Sequence, residues 1–236
     1  MQQSAEYKAL TQQIYNNAAL HLAQALADKN WTAATEQSAT YQNLPPAVIL
    51  DVDETVLDNS AYEARLINNG KAFDSESWAA WCKEARAGAI PGALNFCKIA
   101  RQNGITVFYV TNRREKQKDD TRKNLKRLGF PLEKEIETIL PRTDSADKGK
   151  RRAEIAKHFR ILQLIGDNAG DCFSGFTHAP QAKRDSLVRV YQSYWGSKWI
   201  ILPNPSYGDW ESVLFDYNYK LPNSEKLKIK RRRLLE

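Results

Sequence analysis

The chain has 236 residues, 42% hydrophobic and 27% charged, proportions of a globular protein with material for a full core and unlike those of a disordered chain. Lysine and arginine outnumber aspartate and glutamate 35 to 28, and the resulting charge of +7 favours anionic partners without naming one. The apolar runs at 105–110 and 161–165 are far too short to cross a bilayer, and Cys82, Cys97 and Cys172 form no C-x-x-C pair, which excludes an obvious zinc site or disulfide framework and leaves buried thiols.

Taken in order, the chain opens on Met1, its only methionine, and a polar Gln2-Gln3-Ser4 stretch, while Leu235-Glu236 resembles a vector junction. A removed leader peptide is the expectation. Residues 4–28 place Leu10, Ile14, Ala18, Leu22 and Leu26 four apart and predict an amphipathic helix. Pro45-Pro46 then delivers the chain into a strand over 47–51. Between 59 and 90, Tyr62, Leu66, Phe73, Trp78 and Trp81 scatter over short helical pieces with no long strand. From 93 onward a regular alternation follows: helix 93–102, strand 105–110, helix 115–128, strand 137–140, helix 146–158, strand 161–165, and a last strand at 199–202. Such alternation implies an α/β fold with a parallel sheet covered on both faces.

Polar residues collect where those strands end, which is where open α/β sheets bind ligands. The first strand runs into Asp51-Val52-Asp53-Glu54-Thr55, the second into Thr111-Asn112-Arg113, and the strand at 161–165 into Gly166-Asp167-Asn168 with Asp171 beyond. Lys148 begins the helix between them. Alternate strand residues share a face, so Asp51 and Asp53 can meet one ligand while Val52 turns into the core. Two such carboxylates repel unless a cation offsets them. No basic side chain follows before Arg65, so the pair is read as needing a divalent ion, best Mg²⁺. A plainer reading makes them turn-capping aspartates. Arg113 and Arg114 are read as salt-bridging cations at the rim.

The joint order of an aspartate pair, a threonine after the next strand, a lysine and a final acidic motif resembles the haloacid dehalogenase superfamily of phosphotransferases. The run from Val48 to Tyr62, the run from Ile165 to Phe173, Asn69 to Asp74, Trp78, Ile90 to Ala93, and Pro203 to Glu211 are similar to the class C acid phosphatases, a bacterial group that includes outer-membrane lipoproteins acting on nucleoside monophosphates. The lysine motif is crowded, and K-x-x-R spacing favours Lys148 with Arg151 over Lys150.

That resemblance implies a Rossmann-like parallel sheet flanked by helices with a small helical cap. The expected organisation is one phosphatase domain over 1–236, an N-terminal helical segment at 1–46 and a cap insertion at 59–90. It also implies roles: Asp51 as nucleophile, Asp53 as general acid and base, and Mg²⁺ held by the Asp51 carboxylate, the Asp53 carbonyl and Asp167. Asp171 would orient the ion's waters, Thr111 and Asn112 would bind the phosphoryl oxygens, and Lys148 would neutralise charge. Tyr62, Phe73, Trp78 and Tyr207 are candidates to stack on an aromatic leaving group, with core packing as the alternative, which family resemblance disfavours for Tyr207. The partner is a small phosphomonoester rather than a nucleic-acid polymer, since the basic tail at 226–233 carries no recognition motif and is read as a solvated end or lipid-facing edge. A lipid anchor on the native precursor, a homodimer, and a periplasmic or outer-membrane location complete the expectation. The alternative is a catalytically weak phosphate-binding or storage protein on the same fold.

Overall fold

The computed structural model describes residues 1–38 and 40–234; the junction read at Leu235-Glu236 lies outside the described residues. The chain runs through α1 (Ala5–Ala27), β1 (Pro46–Leu50), β2 (Leu57–Asp58), α2 (Ser60–Asn68), α3 (Ser75–Glu84), β3 (Gly88–Ala89), α4 (Ala93–Gln102) and β4 (Thr106–Arg114). It continues with α5 (Lys118–Leu128), β5 (Ile139–Arg142), α6 (Gly149–Ala156), β6 (Arg160–Gly166), α7 (Gln181–Val190), β7 (Trp199–Ile201), α8 (Asp209–Ser212) and α9 (Asn223–Arg232). Five strands form a parallel sheet in the order β5-β4-β1-β6-β7, and β2 pairs antiparallel with β3.

The α/β reading of the sequence holds, and the strand order explains where a ligand can sit. After β1 the chain builds outward through β4 and β5, then returns to the other side of β1 for β6 and β7. The connections that leave the neighbouring strands β1 and β6 therefore run in opposite directions, and a crevice opens beyond their carboxyl ends. One sheet face buries Val48, Leu50, Val107 and Tyr109 against Tyr15 of α1 and Phe96 of α4. The opposite face buries Ala47, Ile49 and Phe108 with Ile155 of α6 and Leu187 of α7. Strands buried on both sides read as the unbroken apolar runs seen in the sequence.

Two expectations need correction. The buried stripe of α1 is Thr11, Tyr15, Ala18, Leu22 and Ala25, whereas Leu10 is 39% exposed and Ile14 and Leu26 are only partly buried. A strict spacing of four drifts by about 40° per step around a helix, so the stripe that stays on one face alternates steps of four and three. Second, Thr111, Asn112 and Arg113 lie within β4, not beyond it, because pairing with β5 resumes at Arg114 and Arg142 after a register shift. The basic tail, read as a solvated end or lipid-facing edge, lies mostly in α9, with no buried residue and with Lys230 paired to Glu211. Its polarity, like that of α7, left no periodic apolar signal to read. No described helix is long and apolar enough to cross a membrane.

The segment before β1 is bound to the sheet rather than appended to it. Trp31 donates from Nε1 to the Leu162 carbonyl, and Trp199 donates to that of Ala33, each at 2.8 Å. α1 lies so close to the start of α4 that a Cβ on Gly92 would stand 2.8 Å from Tyr15 Cβ, at a left-handed φ of 93°. Gly70 is also left-handed, at φ 59°, but in open space. Gly92→Ala should therefore cost about 2–4 kcal/mol, strain and overlap together, and Gly70→Ala about 1 kcal/mol. Denaturant unfolding of the two variants checks the difference; equal losses would mean that α1 yields to the extra methyl.

Candidate active site

The first aspartate of the D-x-D run lies at the middle of the crevice. Asp51 follows β1 directly, and its N–H donates to the Ile165 carbonyl of β6 at 2.8 Å, so the sheet ladder holds its backbone. Its carboxylate meets the ammonium of Lys148, the N-cap residue of α6, which also lies 2.7 Å from Asp171. All three side chains are nearly buried. Lys150, the alternative lysine, is on the surface beside Asp144. Arg151, three residues after Lys148, donates to the Thr111 carbonyl and to Asn112 Oδ1 at 2.5 and 2.9 Å, tying the lysine motif to β4.

Asp167 ends β6 on the other side of Asp51. It accepts from Asn204 Nδ2 at 2.8 Å, and Thr55 Oγ1 lies 3.4 Å away. Asp171 folds back so closely that a Cβ on Gly166 would lie 2.1 Å from its Oδ2, so Gly166 has room for no side chain. The loop that carries both aspartates is fixed from outside the crevice. Arg152, fully buried, donates to the carbonyls of Gly170 and Asp171 and is held by Glu36, at 2.7 Å.

Oxygens of Asp51, Asp167 and Asp171 all lie within 4.8 Å of one another. Burial pushes Asp51 up to about 7 against the pull of Lys148, with Asp171 and Asp53 adding to the rise. Burial, then Asp51 and Asp171, hold Asp167 well above the usual carboxylate range. Burial disfavours the Lys148 ammonium too, but Asp171 and Asp51 outweigh it and keep its pKa above that of an ordinary lysine. Three carboxylates around one ammonium leave negative charge in a desolvated place. Their all-oxygen donor set fits a hard divalent cation. Asp171 stands as near to this cluster as the expected ligands do.

Asp53 points elsewhere. Arg113 grips its carboxylate with Nη2 at 2.8 Å and Nε at 3.0 Å, and Asn59 Nδ2 adds a third donor at 2.9 Å. Arg113 forms a salt bridge as expected, but not at the rim: it is buried, 2% exposed, because it shares a strand face with Thr111 two residues earlier and both turn inward. That spacing was available in the sequence. The expectation that only a metal could offset the aspartate pair was also incomplete, since two basic side chains arrive from β4 and α6.

The phosphate-binding candidates divide. Thr111 is buried, and its Oγ1 accepts from the Arg113 N–H at 3.0 Å, leaving the hydroxyl proton free to donate. Asn112 is exposed, with its Oδ1 engaged by Arg151. Among the aromatics, Tyr62 is core, packed at 5.1 Å against Trp78. Phe73, 64% exposed, and Trp78 line a cleft of about 670 Å³ with Asn112, Arg114 and Arg142. Tyr207 lies apart from that cleft: the residue is 38% exposed while its hydroxyl bonds Glu54. Glu54, in a left-handed turn at φ 55°, also accepts from the Asn59 N–H at 3.0 Å, and burial followed by the Asp53 charge pushes it up to about 8. Glu54, Asn59 and Asn204 lie inside the runs 48–62 and 203–211 that carry the family resemblance, but the residue types alone give them no role.

The model of the HAD superfamily, subfamily IIIB (acid phosphatase) matches residues 1–210. The class C acid phosphatase of Bacillus anthracis is similar over 100% of this chain and 93% of that one, at 38% identity and a TM-score of 0.89. Its tungstate-bound structure gives 37% identity, the same coverage and a TM-score of 0.88. Acid phosphatase 1 of Solanum lycopersicum is 29% identical over 166 residues, 67% of this chain and 57% of the relative, so the chain spans little more than half the length of that protein. With nearly the whole chain matched and the strand-end residues brought to one crevice, the protein belongs to the HAD superfamily, subfamily IIIB, a family of acid phosphatases.

Proposed function

We propose that this protein is a Mg²⁺-dependent acid phosphomonoesterase that works through an aspartyl-phosphate on Asp51, with nucleoside monophosphates or aryl phosphates as substrates. The observation that carries this reading is the Lys148 ammonium set between Asp51 and Asp171 in an otherwise acidic, buried crevice. A carboxylate nucleophile meets an anionic substrate only if its charge is offset, and Lys148 does so for Asp51 and for the incoming phosphoryl group alike. The Bacillus anthracis relative binds tungstate, a tetrahedral oxyanion of phosphate-like shape, which supports the same ligand class here.

In this reading Asp51 attacks phosphorus in line, and Thr111 donates its free hydroxyl proton to a phosphoryl oxygen. Asp53 protonates the leaving oxygen and then takes a proton from the water that hydrolyses the phosphoenzyme. Asp51, Asp167 and Asp171 would hold Mg²⁺, which when bound neutralises charge on the transferring phosphoryl group. The cleft walled by Phe73 and Trp78, with Arg114 and Arg142 at its edge, supports an aromatic leaving group. Tyr207, itself exposed, offers a second stacking surface. Asn112 would contact phosphate through groups other than its engaged Oδ1. Residence in the periplasm or at the outer membrane belongs to the same proposal.

A screen of nucleotides, sugar phosphates and aryl phosphates, with Mg²⁺ or with chelator, tests the reading. Turnover is expected for nucleoside monophosphates and aryl phosphates and should vanish in chelator. Asp51→Asn should lower kcat by more than about 10³-fold while keeping tungstate affinity; near-normal turnover in that variant would remove the aspartyl-phosphate from the account.

Charge linkage gives a second prediction. Asp51 and Asp167 have folded pKa values above those of the unfolded chain, so in chelator the folded protein keeps protons that the unfolded one has released. This contribution is complete below their unfolded pKa values and is lost as pH rises through the folded ones. The melting temperature in chelator should fall from about pH 4 to about pH 8, the upper bound being set by Asp51, and Mg²⁺ should flatten the slope. A chelated protein that gains stability over that window would contradict the charge excess described for the crevice.

A further inference from the structure

We propose that Arg113 is a positioning residue that fixes which oxygen of Asp53 carries the transferred proton. The inference rests on the phosphotransfer reading above. Asp53 Oδ1 accepts three hydrogen bonds, from Arg113 Nη2 at 2.8 Å, Arg113 Nε at 3.0 Å and Asn59 Nδ2 at 2.9 Å. Oδ2 accepts one longer contact, from Arg113 Nε at 3.2 Å. The terminal torsion of an aspartate is broad and nearly two-fold when nothing holds it, so either oxygen could face a substrate. Three donors on one oxygen remove that freedom and leave Oδ2 as the oxygen with room for a proton.

The clamp is itself clamped. Arg113 Nη1 donates to Thr121 Oγ1 at 3.2 Å, and that hydroxyl donates to the Gln117 carbonyl at 2.8 Å. The Trp78 ring covers the guanidinium at 5.4 Å. Trp81 Nε1 donates to Asn59 Oδ1 at 2.8 Å, fixing which end of the amide faces Asp53. Two tryptophans of α3 thus stand behind the proton-transfer group. Trp78 acts as a cover over Arg113 as well as a wall of the aromatic cleft.

The step balances as follows. An Asp51 oxygen forms its bond to phosphorus as the ester P–O bond breaks. The electron pair of that bond passes to the leaving oxygen, which takes the proton from Asp53 Oδ2. Asp53 becomes a carboxylate, and the guanidinium already in place receives its charge. In the return step the water oxygen forms its bond to phosphorus as the bond between phosphorus and Asp51 breaks, the electron pair of that bond returns to the Asp51 carboxylate, Asp53 Oδ2 takes the water's proton, and phosphate leaves.

An ester with a poor leaving group needs this proton more than one with a good leaving group, and that difference separates positioning from general support of the fold. Arg113→Met and Arg113→Lys are compared with the unaltered protein on phosphomonoesters whose leaving groups run from acidic phenols to simple alcohols. The readout is kcat/KM, which covers substrate binding and the first P–O cleavage and excludes hydrolysis of the phosphoenzyme. Arg113→Met should lose no more than about ten-fold on the most acidic phenol and at least about a hundred-fold on the alkyl ester, steepening the dependence on leaving-group pKa. Arg113→Lys, which keeps a cation but not the two-pronged grip, should lie between. A uniform loss across the series in both variants overturns the proposal, and so does an unchanged slope in Arg113→Lys if the methionine variant does not fold. Should the unaltered protein hydrolyse none of the esters, the phosphatase reading itself fails, an outcome distinct from either of these.

Discussion

Everything in the crevice depends on placing several acids in one desolvated volume without driving the strands apart. Two unit charges about 4 Å apart interact by about 4 kcal/mol near a protein surface, against at most about 1 kcal/mol for an exposed ion pair. Surface salt bridges could not repair such a cluster. Buried cations at its members can, and the chain supplies two: Lys148 on Asp51 and Asp171, and Arg113 on Asp53. Each is itself intolerable in the interior without its acid. Acid and base are therefore obligatory to one another, and the remaining excess near Asp167 is what a divalent cation would meet.

The supports of this arrangement lie largely outside the sheet. Tyr15 of α1 donates to the Thr55 carbonyl at 2.8 Å, so the first helix holds the turn that follows Asp53. Arg152, held by Glu36, fixes the backbone that carries Asp171. Arg160 donates to the carbonyls of Ala25 and Asp28 at 2.9 and 2.7 Å, satisfying acceptors left over at the end of α1. Residues far from the chemistry in sequence thus determine whether the aspartates point correctly. The aromatic side chains near the crevice are supported in the same manner, by Glu54 on Tyr207 and by Tyr62 under Phe73 and Trp78.

Much of this was legible before any coordinates. Apolar strands alternating with helices announced the parallel sheet, the strand ends pointed to Asp51, Thr111 and Asp167, and the start of a helix pointed to Lys148. What was hidden shares a physical cause: a hydrogen bond or ion pair between residues distant in sequence leaves no local pattern. Arg113 is an instructive miss, because strand alternation placed it beside Thr111, yet a charged side chain invites the assumption of exposure. The stripe of α1 was misjudged for another reason, since steps of four look helical but do not keep one face. Helices α7 and α9 escaped notice because they bury little, only Leu187 in one and nothing in the other.

The strand order β5-β4-β1-β6-β7 also says when the site can come into being. Parallel neighbours are never local: Asp53 and Arg113 are 60 residues apart, and Asp51 and Lys148 are 97 apart. Closing such loops costs chain entropy before any contact compensates, so the crevice belongs to the late, slow part of folding. A ribosome making this chain at about 5–20 residues per second would release Asp51 several seconds before the lysine that neutralises it. For the first part of that interval the central strand has both edges open; β4 can then cover one edge and bring Arg113 to Asp53, but the edge that β6 covers and the Asp51 carboxylate wait longer, so the exposure that favours aggregation precedes the arrival of β6.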